Sequence, residues 1–346
     1  MIIPMIKHRR VLICLQSNVV FASCIVILFA ALHTSRVYGD LTITPTFTPA
    51  FVADFGANAV NAENAWIAAA NLMSSNFNDN IHVNITVDAV AGTGVFGQSS
   101  TFLNSTTYAN LRAKVVADAK SADDATAIGA GGSMAAADPV GGTHTWWVST
   151  AQGKALGLIA DNLSNDGTTT FGAGNPFTFS GPIAAGTYDF RGVALHEITE
   201  VMGRLGISGG TIGSSANSYS LIDEFAYTGA GARNLGTGAG VNFSIDNGTT
   251  LLKLWNNAAA NGLDTRDWAP GTNDSFNQFS NSGVVNGLSN VDLRLMDVIG
   301  YDLAPVPEPS RPIALLGLSL MGLTVLGVLR LRGMMTAQTC CRSSIK

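Results

Sequence analysis

The chain has 346 residues and a hydrophobic content of 47%, enough to bury a sizeable core, which excludes a disordered polymer. Its formal charge of −5 conceals a segregation: residues 1–39 and 311–346 carry 9 of the 19 Lys and Arg and none of the 24 Asp and Glu, so the body between them is at −14. A body that acidic repels phosphate backbones and excludes nucleic acid as a partner. All four cysteines (Cys14, Cys24, Cys340 and Cys341) also lie at the ends. The body therefore holds no disulfide, and any metal site in it has to use His, Asp, Glu or carbonyl ligands.

In chain order, Lys7, Arg9 and Arg10 precede an apolar run from Val11 to Leu32 and the small-residue site Val37-Tyr38-Gly39. These are the parts of a secretory signal peptide over 1–39. Residues 40–50 are rich in Thr and Pro and read as a loose leader. Ala65, Trp66, Ala69 and Leu72 share a face and predict a helix over 57–73, while IHVNITV at 81–87 alternates and predicts a strand. A Gly-rich turn around 92–97 leads to a second helix over 108–122, with Leu111, Val115 and Ala119 on one side. The stretch 129–142 is a loop, Trp146-Trp147-Val148 begins a strand, and Asn165-Asp166-Gly167 turns into a short strand at 168–171. Tyr188-Asp189 stands where an N-cap starts a helix, and Gly203 and Gly206 stop it. Short elements at 221–227, 241–245 and 251–255 then alternate with Gly and Asn clusters before a last helix over 291–299. No linker divides the body, so one α+β domain over 51–304 is expected.

At the C-terminal end, 17 residues without a charge, 313–329, are followed by Arg330 and Arg332, which predicts a transmembrane helix whose tail faces the cytoplasm. Val306-Pro307-Glu308-Pro309-Ser310 stands immediately before it. The order of V-P-E-P-S, apolar helix and arginines resembles the PEP-CTERM sorting signal of Gram-negative bacteria. That resemblance implies that 305–333 is an address, read by an exosortase at the inner membrane after export. The basic tail 334–346 is longer than such signals usually carry.

The chemistry is concentrated in FRGVALHEITEVMGR, residues 190–204. On a helix His196 and Glu200 are one turn apart on one face, with Glu197 beside them. That is the spacing of the zinc-protease helix H-E-x-x-H, with Glu200 in place of the second His. An imidazole nitrogen and a carboxylate oxygen both suit zinc, and Glu197 is the candidate general acid/base. A hydrolytic zinc site needs about three protein ligands. The residues alone leave the third open among His82, His144 and the pair Asp223 and Glu224, which lie 27 and 28 positions beyond His196. His82 alternates with Ile81 and Val83 on a strand and is expected to face solvent. A di-iron site is excluded because no Glu has a His three residues later, and no G-x-S-x-G elbow supports a serine hydrolase. Acidic loops around Asp246, Asp264, Asp267 and Asp274 are candidates for calcium.

Taken in order, AQGKALGL, DNLSNDGTTTFG, YDFRGVALHEITEVMGR, LIDEFAYTGAGAR, VNFSIDNGTTLLKLWN, DTRDWAPGTNDSF and LSNVDLRLMDVIGYDL resemble the secreted, PEP-CTERM-tagged bacterial metalloproteases of the zincin type. The helix in that family commonly reads H-E-[IL]-[ST]-E. The resemblance implies a zincin-like fold, a twisted sheet over the active-site helix with an irregular C-terminal subdomain. It also implies a secreted or surface-sorted zinc metallopeptidase acting on protein or peptide substrates. It assigns His196, Glu200 and Asp223 to the metal and Glu197 to catalysis, and it puts Met296 beneath the site. The helix further resembles the start of the metzincin pattern H-E-x-x-H-x-x-G-x-x-H, with Gly203 in place and Gly206 where a third His would stand. The missing second His and the Gly/Asn/Thr/Ser-rich composition keep another reading open, a non-catalytic zincin-like protein of the envelope or biofilm matrix.

Overall fold

The computed structural model describes residues 41–256 and 264–305. The signal peptide expected at 1–39, the sorting signal with its helix at 313–329 and the basic tail lie outside them. No helix among the described residues is long and apolar enough to cross a membrane. The strands, in chain order, are β1 (Thr42–Phe47), β2 (His82–Val90), β3 (Gly97–Thr101), β4 (Leu103–Thr106), β5 (Thr145–Ser149), β6 (Asn165–Gly172), β7 (Phe177–Thr178), β8 (Tyr188–Asp189), β9 (Gly210–Ile212), β10 (Ser215–Ser220), β11 (Ala226–Gly229), β12 (Ala232–Arg233), β13 (Asn242–Phe243) and β14 (Lys253–Leu254). The helices are α1 (Pro49–Phe55), α2 (Ala59–Asn76), α3 (Tyr108–Asp118), α4 (Ala122–Ile128), α5 (Thr150–Ala155), α6 (Phe190–Val201) and α7 (Asn290–Val298). The class is α+β, as expected.

The expected leader is part of the sheet. β1 runs parallel to β2, with Leu41 and Ile43 buried. Threonines suit an extended edge, and Pro45 is tolerated there because an edge strand leaves one row of N–H groups unpaired. Thr48 then caps α1, which has proline in its first turn. The main sheet has the order β1-β2-β6-β3: β6 is parallel to β2, and β3 runs antiparallel along the far edge. Val83, Ile85, Val87 and Ala89 on β2 are buried in strict alternation. The single helix expected over 108–122 is two, α3 and α4. Ser121 divides them through a capping box with Asp124, satisfying the first N–H groups of α4.

Beneath the sheet, α2 buries Ala62, Ala65, Trp66, Ala69 and Met73. Trp66 Nε1 donates to Thr169 Oγ1 on β6 at 3.2 Å. Helix α6 packs against α2, β3 and β6. Its approach depends on Gly167 of β6, where a Cβ would stand 2.8 Å from Val201 Cγ2 and 2.7 Å from the Ser100 carbonyl oxygen. The C-terminal half is irregular. A small sheet, β12-β11-β13-β14, adjoins a loop region pinned by two tryptophans, Trp255 and Trp268, whose rings stack with centroids 4.1 Å apart. Trp268 Nε1 donates to Asp292 Oδ1 at 2.7 Å, and Asp292 closes the capping box at the start of α7.

Candidate metal centre

Helix α6 begins where Asp189 accepts a hydrogen bond from the Arg191 N–H at 3.1 Å. It ends at Gly203, whose φ of +104° turns the chain back so that Arg204 N donates to the Thr199 carbonyl at 3.0 Å. The helix buries Ala194, Leu195, Ile198 and Val201 in the core, and that orientation leaves His196, Glu197 and Glu200 on a cleft of about 560 Å³. His196 Nδ1 donates to the Ser275 carbonyl at 2.9 Å, which fixes the ring and aims Nε2 inward. Nε2 lies 3.3 Å from Glu200 Oε1 and 3.6 Å from Asp267 Oδ2. Both oxygens are buried and neither receives a hydrogen bond. Two ligands each about 2.1 Å from a tetrahedral ion stand about 3.4 Å apart. The two measured separations bracket that value, and all three ligand atoms lie within 4.8 Å of one another. The donor set therefore fits zinc.

The surrounding groups hold these atoms in place. Ser99 Oγ on β3 donates to Glu200 Oε2 at 2.8 Å, and Thr101 Oγ1 to the Glu200 carbonyl at 3.4 Å. Gly97, on the same side of β3, faces Glu197: a Cβ there would fall 2.3 Å from Glu197 Oε1. Arg204 is fully buried and pairs through Nη1 with Asp267 Oδ1, while its Nη2 lies 3.6 Å from Glu200 Oε1. Burial opposes charge on every group here. It pushes Glu197 well above the usual carboxylate range, helped by the charge of Glu200, and it raises Asp267. Burial also acts to lower His196, but the carboxylates of Asp267 and Glu200 outweigh it and push the imidazole up to about 10. Burial acts to raise Glu200, and the charges of His196 and Arg204 bring it down.

The structure brings together His196, Glu197 and Glu200, and it sets Asp267 rather than Asp223 beside them. Asp223 is fully buried but spent: its Oδ2 accepts from the backbone N–H groups of Ile207, Ser208 and Ser220 at 3.2, 3.0 and 2.9 Å. Its Oδ1 accepts from Ser208 Oγ and Arg266 Nε, both at 3.0 Å. Both of its oxygens are committed to these donors, and the carboxylate that faces His196 Nε2 together with Glu200 is that of Asp267. Glu224 is engaged by Arg233, and His82 and His144 pair with Asp161 and Asp138 at 2.7 and 2.8 Å. Met296 is buried in the core and does not line the cleft. Of the acids considered for calcium, Asp246 accepts from Ser244 and Thr250 and Asp274 pairs with Lys253, while Asp264 lines the cleft, where burial and the charges of Glu200 and Asp267 push it up to about 6. Among the described residues, His196, Glu200 and Asp267 form the one converging group of metal-binding side chains. Set against models of known protein families, curated proteins and solved structures, the chain matches none.

Proposed function

We propose that the chain is a zinc-dependent metallopeptidase of zincin-like fold, with His196, Glu200 and Asp267 as metal ligands and Glu197 as general acid/base. The observation that carries this reading is the convergence of His196 Nε2 with two buried, donorless carboxylate oxygens at 3.3 and 3.6 Å. Zinc bound there would polarise a substrate carbonyl and acidify a water. Glu197, adjacent in sequence to a ligand and lining the same cleft, accepts the water's proton and passes it to the leaving amine nitrogen. The sheet edge formed by β3 borders the cleft through Gly97, Gln98 and Ser99, an arrangement suited to an extended peptide. The signal peptide and the PEP-CTERM-like segment support export, sorting by an exosortase and action outside the inner membrane.

Elemental analysis of the purified protein should find about one zinc per chain, and casein or unstructured peptides should be cleaved. Glu197→Gln should keep the zinc and lower the cleavage rate by roughly 10²–10⁴-fold. A folded protein that takes up no zinc and leaves peptides intact would reject the proposal in favour of the non-catalytic matrix protein.

A further inference from the structure

Arg204 holds more of the candidate centre than any other residue outside the ligands. Its guanidinium is fully buried, and each side of its planar fork meets a different part of the site. Nε donates to Thr199 Oγ1 at 3.0 Å, Nη2 to the His196 carbonyl at 3.3 Å, and Nη1 pairs with Asp267 Oδ1. Nη2 also lies 3.6 Å from Glu200 Oε1. The face of the fork rests on the Phe276 ring, 4.6 Å from its centroid, and Phe276 follows the residue whose carbonyl fixes His196. Asp267, 63 positions away in sequence, is thus joined to the helix through Arg204. One of its oxygens is taken by the guanidinium, and the other is left facing His196 Nε2.

We infer that Arg204 is the positioning residue that assembles this metal centre: by clamping Asp267 Oδ1 it presents Oδ2 as a single ligand oxygen and draws the loop ligand onto α6. The inference rests on the metallopeptidase reading and deepens it. A carboxylate held by one oxygen has a defined direction, whereas an unclamped aspartate on a loop can rotate either oxygen toward or away from an ion. The turn at Gly203 is what aims the clamp, because it returns the chain beneath the last turn of the helix. Lysine at position 204 would keep the positive charge but lose the planar fork, so it cannot meet Thr199, His196 and Asp267 together.

The test is Arg204→Lys in the full-length chain, read by zinc affinity in competition with a chelator and by the visible spectrum of the cobalt-loaded protein. Zinc affinity should fall by about tenfold or more, and the cobalt bands should move toward those of Asp267→Asn. The double variant with Asp267→Asn should bind no more weakly than Asp267→Asn alone, because both changes break one link. If Arg204→Lys does not fold, Thr199→Val keeps the guanidinium and removes the acceptor that aims the fork, along with the hydroxyl's own donation to the Leu195 and His196 carbonyls, and it should shift affinity in the same direction by less. A parent chain that binds zinc while these variants bind it equally well, or losses that add in full in the double variant, overturn this inference alone. A parent chain that binds neither zinc nor cobalt overturns the metallopeptidase reading, and the inference with it.

Discussion

Two buried aspartate–arginine pairs lie one residue apart along the chain and differ in what they leave unfilled. Arg266 reaches Asp223 and Asp267 reaches Arg204, each with side chains at 1% exposure or less. Arg266 sits in a turn and Asp267 in the bend that follows it, so one short stretch reaches two buried partners at once. Around Asp223 every oxygen is occupied by backbone N–H groups, a hydroxyl and the guanidinium. Around Asp267 one oxygen is held by Arg204, and the other, like Glu200 Oε1, has no donor. An unsatisfied buried acceptor costs about 1–3 kcal/mol. The fold carries two of them within reach of one imidazole nitrogen, and a cation at that point removes both costs. Burial and ion pairing are common to the two pairs, and Asp166 and Glu224 also keep an open oxygen, so what sets the second pair apart is the convergence of two open acceptors on one imidazole nitrogen.

The largest effect that tests this contrast is on stability. Asp223→Ala strips a buried guanidinium of its carboxylate and should cost about 3–5 kcal/mol in denaturant unfolding, while the folded fraction keeps its zinc. Zinc lost in step with stability would show that the two pairs are not separate. Asp267→Asn should do the converse. Zinc affinity should drop at least about tenfold, ~1.4 kcal/mol, and the metal-free chain should lose less stability than Asp223→Ala, because Glu200 keeps both His196 and Arg204 beside it. The finest test is the pH dependence of the metal-free protein. The folded pKa of His196 is raised from 6.5 to about 10, so its stabilising contribution is complete below about pH 6.5 and is lost as pH rises through about 10. Melting temperatures recorded with a chelator should therefore decline over that window. With zinc saturating Nε2 the decline should vanish. A decline of equal size with and without zinc would place its origin outside the centre.

Much of the frame was legible because it rests on local rules. The spacing of His196 and Glu200, the Asp189 cap, the Gly203 stop and the alternation of β2 each follow from a short stretch of sequence, and each is present in the fold. β3 escaped because GQSST has no hydrophobic alternation, yet its period is there in another form. Gly97, Ser99 and Thr101 face α6, where Glu197 needs space and Glu200 needs donors, so the strand is polar because it faces the site. β1 escaped because threonines and Pro45 resemble a linker when only one edge of the strand is paired. Asp267, the proposed third ligand, escaped for a different reason. Asp267 reaches His196 through irregular loop closure, which has no period to read, and Asp223 sits in an equally acidic context. Which of the two aspartates stands beside His196 depends on contacts made 43 and 63 residues apart in the chain.

Trp268 follows Asp267 in the chain, stacked on Trp255 at 4.1 Å with its indole N–H fixed to Asp292. Two indoles held this close and within 20° of parallel couple their electronic transitions, which makes the pair a chromophore distinct from its separate rings. The segment that carries Asp267, the proposed third ligand, therefore carries its own optical label. A shift of Asp267 on metal binding would change the overlap of the two rings, so near-ultraviolet circular dichroism or intrinsic fluorescence of the unmodified chain is expected to respond to added zinc.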